Sequence, residues 1–472
     1  MKDNAVPSDP LPSSAVPSDP LPSDPVQADD PQSWVDSAMT ALADACAGRT
    51  PALEFTPGTA GSPPGWTLRH DVADDDDAAG RGAAVVVRTS GSTGTPKQTL
   101  LSSAALRASA QMTAERLGGP GQWLLTLQPS YVAGLAVLSR SLEAGTVPQV
   151  LLEHTTDPDC FAAAAEQMTH RRRYVSLVPA QLERLLRACE SGHGRCARVL
   201  RRFDTVLLGG AASDPSLLRR AAAAGITVVR TYGMSETAGG CVYDGRPLPG
   251  AHIGLSSDSR VQLSGPMTAI GYWQEPERTA AHFDRDPETG LPRFTTEDFG
   301  ELAQINDEDQ PVLRITGRVD DVINTGGVKV SAEAVRGRLV EHAGVAEAFV
   351  GSAPDPVWGE RVCAAVVLEA SAAQEQGEEL GDGPPDGPGA SCAAFRGSSP
   401  GASHGGAQAS TLWQHRLAEH VRTELGGPAA PKLVIVVQEL PRLTSGKPDR
   451  TAIRALFRQI STTQQKETRG HH

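Results

Sequence analysis

An apolar run at residues 83–87 leads directly into the segment 89–97, which reads Thr-Ser-Gly-Ser-Thr-Gly-Thr-Pro-Lys. The segment supplies two glycines, five hydroxyl side chains and the side-chain amine of Lys97. Glycine lets the backbone approach a ligand closely, and hydroxyls, amides and a lysine bind phosphate oxygens. The pattern therefore predicts a strand that ends in a phosphate-binding loop. It is not a Walker A motif, because Lys97 follows Gly94 by three residues. Taken alone, an ordinary surface loop rich in Ser, Thr and Gly is the alternative.

The size and charge of the chain exclude several classes of protein. A length of 472 residues predicts two or more domains. The 43 basic and 56 acidic residues give a net charge of −13, which argues against a nucleic-acid binder. The seven cysteines are scattered and form no Cys-x-x-Cys pair, which is typical of reduced thiols rather than of a zinc site or a disulfide framework. Because no apolar stretch approaches the roughly 20 residues that span a bilayer and no signal peptide is evident, we expect a cytoplasmic protein without a membrane span.

Two segments have compositions that do not support a packed core. Residues 5–13 recur at 15–23 as Ala-Val-Pro-Ser-Asp-Pro-Leu-Pro-Ser, so we expect 1–32 to be a disordered, proline-rich tail. Residues 371–410 are rich in Gly, Ala, Ser, Pro and Glu, and we expect them to form a disordered insert.

Between these segments, short apolar runs alternate with helical patterns. Strands are predicted at 83–87, 123–127, 174–178, 205–208 and 226–229, and a helix at 181–188 is opened by Pro179. This alternation predicts an α/β domain with a largely parallel sheet, in which ligands lie beyond the carboxyl ends of the strands. Glycine-bearing segments follow three of these strands, at 89–97, 209–211 and 231–237.

The sequence pattern changes near Arg318. Helices at 331–342 and 412–425 and strands at 346–350, 362–368 and 433–437 predict a compact α+β domain. We therefore expect a large N-terminal α/β domain over 33–316 and a small, mobile C-terminal domain over 317–460, with a cleft between them.

Two further segments could bind parts of a nucleotide. Residues 231–237 read Thr-Tyr-Gly-Met-Ser-Glu-Thr, in which Tyr232 could stack on a purine and Glu236 could hold Mg²⁺. A strand-to-helix turn with a capping Ser/Glu pair is the alternative. Asp298, in Thr-Glu-Asp-Phe-Gly, could accept hydrogen bonds from a ribose diol, or it could be a turn aspartate.

The last two motifs lie in the smaller domain. Residues 317–321 read Gly-Arg-Val-Asp-Asp at the change of pattern, and residues 440–447 read Leu-Pro-Arg-Leu-Thr-Ser-Gly-Lys. On its own, a lysine such as Lys447 in a glycine loop is usually just solvated.

Together, in this order and spacing, these motifs resemble the acyl-adenylate-forming (ANL) superfamily of acyl-CoA synthetases, peptide-synthetase adenylation domains and luciferases. The resemblance covers roughly residues 80 to 455. It implies the adenylating-enzyme fold, with mixed sheets in the large domain and a mobile small domain. It also implies ATP, Mg²⁺ and coenzyme A as ligands.

The resemblance assigns roles residue by residue. Lys97, Glu236 and Lys447 are implied to be catalytic, with Glu236 the Mg²⁺ carboxylate and Lys447 the bridge between the substrate carboxylate and the α-phosphate. Asp320 matches the hinge of the small domain. The residues implied to bind ATP or to line the thiol tunnel are Thr89, Ser90, Gly91, Ser92, Thr93, Gly94, Gly209, Gly210, Ala211, Tyr232, Gly233, Met234, Thr237, Asp298, Arg318, Gly326 and Gly327.

A closer resemblance is to the family of o-succinylbenzoate–CoA ligases, in its shorter actinobacterial form. Residues 129–135, 176–182 and 232–243 carry it. It implies ATP-dependent ligation of 2-succinylbenzoate to coenzyme A through an acyl-adenylate, giving 2-succinylbenzoyl-CoA, AMP and diphosphate in menaquinone biosynthesis. Ligation of another aromatic or fatty acid and loading of a carrier protein stay open. More remote alternatives are a luciferase-like oxidase and a non-enzymatic relative.

The candidate acid-binding residues are Tyr131, Leu135, Ser176, Leu177 and Gln181. Arg140 could pair with the aromatic carboxylate, but an arginine on a helix is more often a surface residue, so it is not included. A monomer and a homodimer are both compatible with the sequence.

Overall fold

The computed structural model describes residues 31–59, 62–73, 82–89, 97–304, 311–369, 372–373, 407–442 and 448–469. Its helices, in chain order, are α1 Pro31–Cys46, α2 His70–Ala73, α3 Ser103–Arg116, α4 Val132–Ala144, α5 Pro158–Glu166, α6 Pro179–Glu190, α7 Gly194–Leu200, α8 Pro215–Ala223, α9 Pro276–His282, α10 Ala332–Glu341, α11 Thr411–Leu425 and α12 Arg450–Arg469.

The strands are β1 Ala52–Thr56, β2 Gly65–Arg69, β3 Ala83–Thr89, β4 Lys97–Ser102, β5 Gln122–Leu125, β6 Gln149–Val150, β7 Arg173–Leu177, β8 Thr205–Leu208, β9 Val228–Met234, β10 Gly239–Tyr243, β11 Arg246–Pro247, β12 His252–Leu255, β13 Arg260–Ser264, β14 Gly271–Tyr272, β15 Phe283–Arg285, β16 Pro292–Ala303, β17 Val312–Arg318, β18 Val322–Thr325, β19 Val328–Ser331, β20 Val345–Asp355, β21 Gly359–Leu368, β22 Ala407–Gln408 and β23 Leu433–Val436.

A seven-stranded sheet is the centre of the large domain. Its order is β11-β10-β9-β8-β7-β5-β6, and the pairs from β9 to β6 are all parallel. The helices α4 to α8 connect these parallel strands, as the alternation of strands and helices in the sequence predicts. The carboxyl ends of β8 and β9 therefore lie side by side at one edge, where ligands bind in such sheets.

Both faces of this sheet are buried. One face packs under α1, α3 and α4 in a core that includes Trp34, Trp123 and Tyr174, and the other packs under α5 to α8 in a core that includes Phe161 and Leu177. The division follows from strand geometry, because successive side chains point to opposite faces. Tyr174 and Leu177, both on β7, accordingly lie in different cores.

Two smaller sheets complete the large domain. One has the order β14-β4-β3-β1-β2 and contains the hairpin of β3 and β4 that flanks the predicted phosphate loop. The other has the order β12-β13-β16-β15, with β17 also paired to β16. The α/β fold class with mixed sheets is confirmed.

The C-terminal part has its own sheet, in the order β19-β18-β21-β23-β22 with β20 paired to β21. Its two faces are covered by α10 with α11 and by α12, in cores that contain Trp413 and Phe457 respectively. This is the α+β pattern that the sequence predicts.

Two predicted boundaries differ from the structure. The segment 1–32 lies outside the described residues except for its end, because α1 already begins at Pro31. The insert 371–410 also lies largely outside them, but its last residues are structured, since β22 pairs with β23 and Ser410 caps α11 through a bond from Trp413 N at 3.2 Å. The division of the chain at residue 316 stays a prediction.

No helix among the described ranges is long and apolar enough to cross a membrane. Within the same ranges, all the cysteines carry free thiols.

Candidate active site

The hairpin of β3 and β4 places Thr89 opposite Lys97 in an antiparallel pair. The loop between them, with the predicted phosphate-binding residues Ser90, Gly91, Ser92, Thr93 and Gly94, lies outside the described residues. Both ends of the loop are therefore fixed in one sheet, and Lys97 begins the strand that leaves it.

Lys97 faces a buried pair formed by Tyr272 and Glu236. The Lys97 Nζ lies 5.4 Å from the centre of the Tyr272 ring, and the Tyr272 hydroxyl donates to Glu236 Oε1 at 2.8 Å. The exposed fractions of Tyr272 and Glu236 are only 1% and 7%, so this carboxylate has a fixed donor in a shielded place.

The electrostatics of this group follow from burial. Burial lowers the pKa of Lys97 below the ordinary value of a lysine, and the nearby charge of Glu236 opposes that effect. Burial, followed by the charge of Glu236, raises the pKa of Tyr272, so its hydroxyl stays protonated and remains a donor.

A second group surrounds Asp298, which is 5% exposed on β16. The Tyr232 hydroxyl donates to Asp298 Oδ2 at 2.7 Å, and Arg318 Nη1 donates to Oδ1 at 2.6 Å. A carboxylate offers about four acceptor positions, so Asp298 can still accept bonds from a diol. The sequence places these residues 66 and 20 positions apart, and the structure brings them together.

Burial is also the first cause of the altered acidity in this group. It raises the pKa of Tyr232 well above its ordinary value, and Asp298 adds to the effect. For Arg318 burial works in the opposite direction, but Asp298 and Asp320 outweigh it and raise the pKa. Both side chains therefore stay protonated donors to Asp298 throughout the physiological range.

At the carboxyl ends of β8 and β9, beside this group, glycines let neighbouring strands approach each other closely. A Cβ at Gly209 would lie 2.3 Å from Thr231 Oγ1, and one at Gly233 would lie 2.1 Å from the carbonyl oxygen of Gly239. Gly210 has a φ of 83°, a conformation that favours glycine, and Ala211 after it is exposed. The glycines of the motifs are thus required by the tight packing of these strand ends.

The turn from Met234 to Gly239 is held by Thr237. Its hydroxyl accepts from Met234 N at 3.1 Å and donates to Gly239 O at 2.8 Å. This turn orients Glu236, which lies within it, toward Tyr272. The turn is thus capped through Thr237 and not through the Ser/Glu pair of the structural alternative. The role of Glu236 as a Mg²⁺ ligand stays a prediction.

Acidic residues lie at the junction of the large N-terminal domain and the C-terminal domain, called the large and the small lobe below. Arg318, already bonded to Asp298, donates through Nε to Asp320 Oδ1 at 2.9 Å. Arg450 donates through both terminal nitrogens to Asp321, each at 2.6 Å. The predicted hinge at Asp320 thus lies between Arg318 and the first turn of α12.

The small lobe presents two different segments. The turn between β18 and β19 contains Gly326 and Gly327, with Val328 and Trp358 exposed beside it. On another side, Glu439 meets Arg184 of the large lobe at 3.4 Å. Lys447 lies outside the described residues, and Arg442 and Pro448, on either side of the segment 443–447, form an antiparallel bridge.

The predicted acid-binding residues do not all meet. Leu135 and Leu177 lie in the cores on opposite faces of the seven-stranded sheet. Gln181 is engaged locally, because its Oε1 accepts from Val178 N at 3.0 Å and its Nε2 donates to Thr155 Oγ1 at 3.0 Å. Ser176 is buried on the Tyr174 face of β7.

Tyr131 directly precedes α4 and is half-buried at its amino end.

Sequence reasoning excluded one residue that the structure singles out. Arg140 is only 7% exposed, its guanidinium lies 4.9 Å from the centre of the Trp123 ring, and its Nη2 lies 3.4 Å from the Tyr243 hydroxyl. Its Nε has no hydrogen-bond partner, and Arg140 forms no ion pair with an acidic side chain of the described residues. The expectation of a surface arginine is therefore wrong. Its helix reads Val-Ala-Gly-Leu-Ala-Val-Leu-Ser-Arg, and that apolar run was the available signal for burial.

A cavity of about 250 Å³ lies beside Arg140, at the amino ends of β5 and β7. Trp123, Tyr174 and Thr113 also line it. On another side, a Cβ at Gly239 would make ordinary van der Waals contacts, 3.4 Å from Ala136 Cβ and 3.9 Å from Arg140 Nη2. The buried charge thus borders a cavity at the edge of the sheet opposite the carboxyl ends of β8 and β9.

Comparison with known proteins agrees with this geometry. The sequence-family model of AMP-binding enzymes matches residues 15–265. The family model of the AMP-binding enzyme C-terminal domain matches residues 337–382. A probable 2-succinylbenzoate–CoA ligase of Mycobacterium tuberculosis is 38% identical over 416 residues, which cover 88% of this chain and 94% of the relative.

Solved structures with the same fold include an amide bond synthetase from Marinactinospora thermotolerans. Its TM-score is 0.59 at 28% identity, with 80% of this chain and 69% of that chain covered. The o-succinylbenzoate CoA synthetase of Bacillus subtilis, solved with its acyl-adenylate intermediate, has a TM-score of 0.57 at 22% identity, covering 79% of this chain and 69% of that chain. At that identity the likeness concerns the fold.

The electrostatics of Lys97 give a direct test. In Glu236→Gln the pKa of Lys97 should fall further, because the charge that opposes the burial effect is gone. The measurement is the rate at which the amine is acetylated across neutral to alkaline pH, read by mass spectrometry of its peptide. The exposed Lys432 serves as the internal reference. An unchanged or higher pKa in the variant would contradict the geometry.

Proposed function

This chain belongs to the family of AMP-binding enzymes, and from that premise we propose that it is an AMP-forming acid–thiol ligase that joins 2-succinylbenzoate to coenzyme A. The observation that carries the proposal is the bonding of Tyr232 and Arg318 to one buried carboxylate, Asp298, at the edge where β8 and β9 end. The 38% identical relative from Mycobacterium tuberculosis, 94% of which is covered, is named a probable 2-succinylbenzoate–CoA ligase. The activity belongs to menaquinone biosynthesis.

The first chemical problem is the approach of two anions. A carboxylate oxygen must attack the α-phosphorus of ATP, and two like charges about 4 Å apart repel by about 1–4 kcal/mol over effective dielectric constants from 80 to 20. Catalysis therefore requires cations and donors that are already in position. The new bond joins the carboxylate oxygen to the α-phosphorus, and the bond to the bridging oxygen of diphosphate breaks.

The described residues would share this task. Asp298 would accept hydrogen bonds from the ribose diol, while Tyr232 offers an aromatic face to adenine. Lys97 would face the departing phosphates. Glu236 fits Mg²⁺, since that ion commonly takes one or two protein carboxylates and completes its shell with phosphate oxygens and water. When bound, Mg²⁺ neutralises phosphate charge.

The second step requires a different surface of the small lobe. The thiol sulfur attacks the acyl carbon, AMP leaves, and the thiol proton is released. In this structure Glu439, eight residues before Lys447 in the sequence, contacts the large lobe, whereas Val328 and Trp358 beside Gly326 are 46% and 51% exposed. This arrangement supports the proposal that the small lobe has the orientation used for adenylation, the step in which Lys447 would act. Rotation at Asp320 would bring the Gly326–Gly327 turn inward for the second.

The acid carries a second carboxylate, on its aromatic ring, that must be recognised. Arg140 is suited to this role because its buried guanidinium has an unpartnered Nε and no acidic partner among the described residues. An isolated buried charge is costly, so a ligand carboxylate would complete the site. The Trp123 ring offers an apolar contact beside it.

The activity is tested by ATP–diphosphate exchange with a panel of acids, namely 2-succinylbenzoate, benzoate, 4-hydroxybenzoate and medium-chain fatty acids. We expect exchange with 2-succinylbenzoate and, after addition of coenzyme A, formation of its thioester and AMP. Exchange with a fatty acid but not with 2-succinylbenzoate would overturn the acid and keep the reaction class. Transfer to a carrier protein in place of coenzyme A would overturn the acceptor.

Recognition of the aromatic carboxylate is tested with Arg140→Gln. We expect kcat/KM for 2-succinylbenzoate to fall about 100-fold, the loss of a strong charge-assisted interaction. The matched substrate is 4-oxo-4-phenylbutanoate, which lacks the aromatic carboxylate.

With 4-oxo-4-phenylbutanoate the variant and the unmodified enzyme should be nearly equal. A loss of the same size with both acids would show that Arg140 supports the fold rather than the substrate.

A further inference from the structure

We propose that Arg278 of α9 is a further phosphate-binding residue, which contacts the β- and γ-phosphates of ATP, and the diphosphate product, beside Lys97. The inference rests on the proposed function, since it names how that site holds one of its ligands. Nothing in the pattern of motifs pointed to this arginine, because it lies between them in the sequence.

The position of Arg278 is set by the ring that Lys97 also contacts. The Arg278 guanidinium carbon lies 5.5 Å from the centre of the Tyr272 ring, and Lys97 Nζ lies 5.4 Å from the same centre. A cation over an aromatic face is attracted by the ring's quadrupole. Two cations thus contact one buried tyrosine ring.

The Tyr272 platform is itself rigid. Its hydroxyl is bonded to Glu236, and its ring packs edge-on against Phe283 with ring centres 5.4 Å apart. The backbone of Tyr272 is also bonded to α9, because Tyr272 N donates to the hydroxyl of Thr279 at 3.0 Å. Thr279 directly follows Arg278 in that helix. The position of α9 is therefore coupled directly to the strand that carries the tyrosine.

The charges of Lys97 and Arg278 influence each other. Burial is the first cause of the lowered pKa of Lys97, and the charge of Arg278 adds to it, against the opposing charges of Glu236 and Glu297. A bound anion would interact favourably with both cations. A triphosphate is such an anion, and the loop preceding Lys97 is the predicted phosphate loop.

Arg278 also keeps donors for such a ligand. Its Nη1 donates to Glu275 at 2.9 Å, and the two side chains are 28% and 34% exposed. A guanidinium has five N–H donors arranged as a fork, a geometry that matches phosphate oxygens. Glu275 holds Nη1, and the partly exposed guanidinium keeps its other N–H donors for a ligand.

The simpler interpretation is that Arg278 and Glu275 form an ordinary helical ion pair, which contributes little. The two interpretations differ in what ligand binding should reveal. A surface pair has no reason to distinguish ATP from AMP, whereas a residue on the β- and γ-phosphates must do so.

The experiment measures the affinities of MgATP, diphosphate and AMP by calorimetry for the unmodified protein, Arg278→Ala and Arg278→Lys. We expect Arg278→Ala to bind ATP and diphosphate about tenfold more weakly. AMP, which lacks both phosphates, should bind as before. Arg278→Lys should recover part of the loss, because it keeps the charge but not the fork.

The matched control is Arg187→Ala on α6, an exposed arginine that pairs with Glu183 one helical turn away. It should change none of the three affinities. Equal ATP and diphosphate binding by Arg278→Ala and the unmodified protein would overturn the proposal, as would an equal loss for AMP. Should the alanine variant unfold, Arg278→Lys and Arg278→Gln give the same comparison.

Failure of the proposed function would be visible separately. It would appear in the unmodified protein as the absence of AMP formation with every acid, a reaction that the calorimetric comparison does not use.

Discussion

One buried carboxylate connects the proposed nucleotide pocket with the junction between the lobes. Asp298 receives the Tyr232 hydroxyl on one oxygen and Arg318 on the other, and Arg318 reaches on to Asp320 at the change of domain. A charge that is 5% exposed is stable only when such partners surround it. The proposed ribose contact and the proposed hinge therefore share one ion network, which gives nucleotide binding a physical route to the orientation of the small lobe.

The seven-stranded sheet determines what surrounds that network. Its parallel strands bring the tight glycine turns after β8 and β9 to one edge, and its two faces separate the side chains of each strand into two cores. Arg140 lies on the face under α3 and α4, against Trp123 and below Gly239. The acid-recognition site that we propose thus lies on this face because α4, which carries Arg140, covers it.

Much of this could be predicted from local patterns. The predicted strand at 205–208 is β8, Pro179 opens α6, and the change of pattern near Arg318 falls at the end of β17. Asp298 and Arg318 are brought together by the pairing of β16 with β17, where the register sets them opposite each other. Motif order was informative because it reflects this strand order.

The remaining contacts depend on packing between distant segments. Tyr272 meets Glu236 across 36 positions and Arg140 approaches Tyr243 across 103, and no local pattern specifies either pair. Leu177 and Leu135 were expected in one pocket, but the register and helix coverage of the sheet put them on opposite faces. The side chain of Gln181 is committed to capping its own helix, a local bond that competes with ligand binding.

The most direct test of the central role of Asp298 compares ATP with 2′,3′-dideoxy-ATP, which lacks the ribose diol. The measurement is the dissociation constant of each nucleotide for the unmodified protein and for Asp298→Asn. The account predicts that the variant binds ATP at least about tenfold more weakly than the unmodified protein does. The affinity for the dideoxy nucleotide should fall much less. An equal loss for both nucleotides, or no loss for ATP, would contradict it.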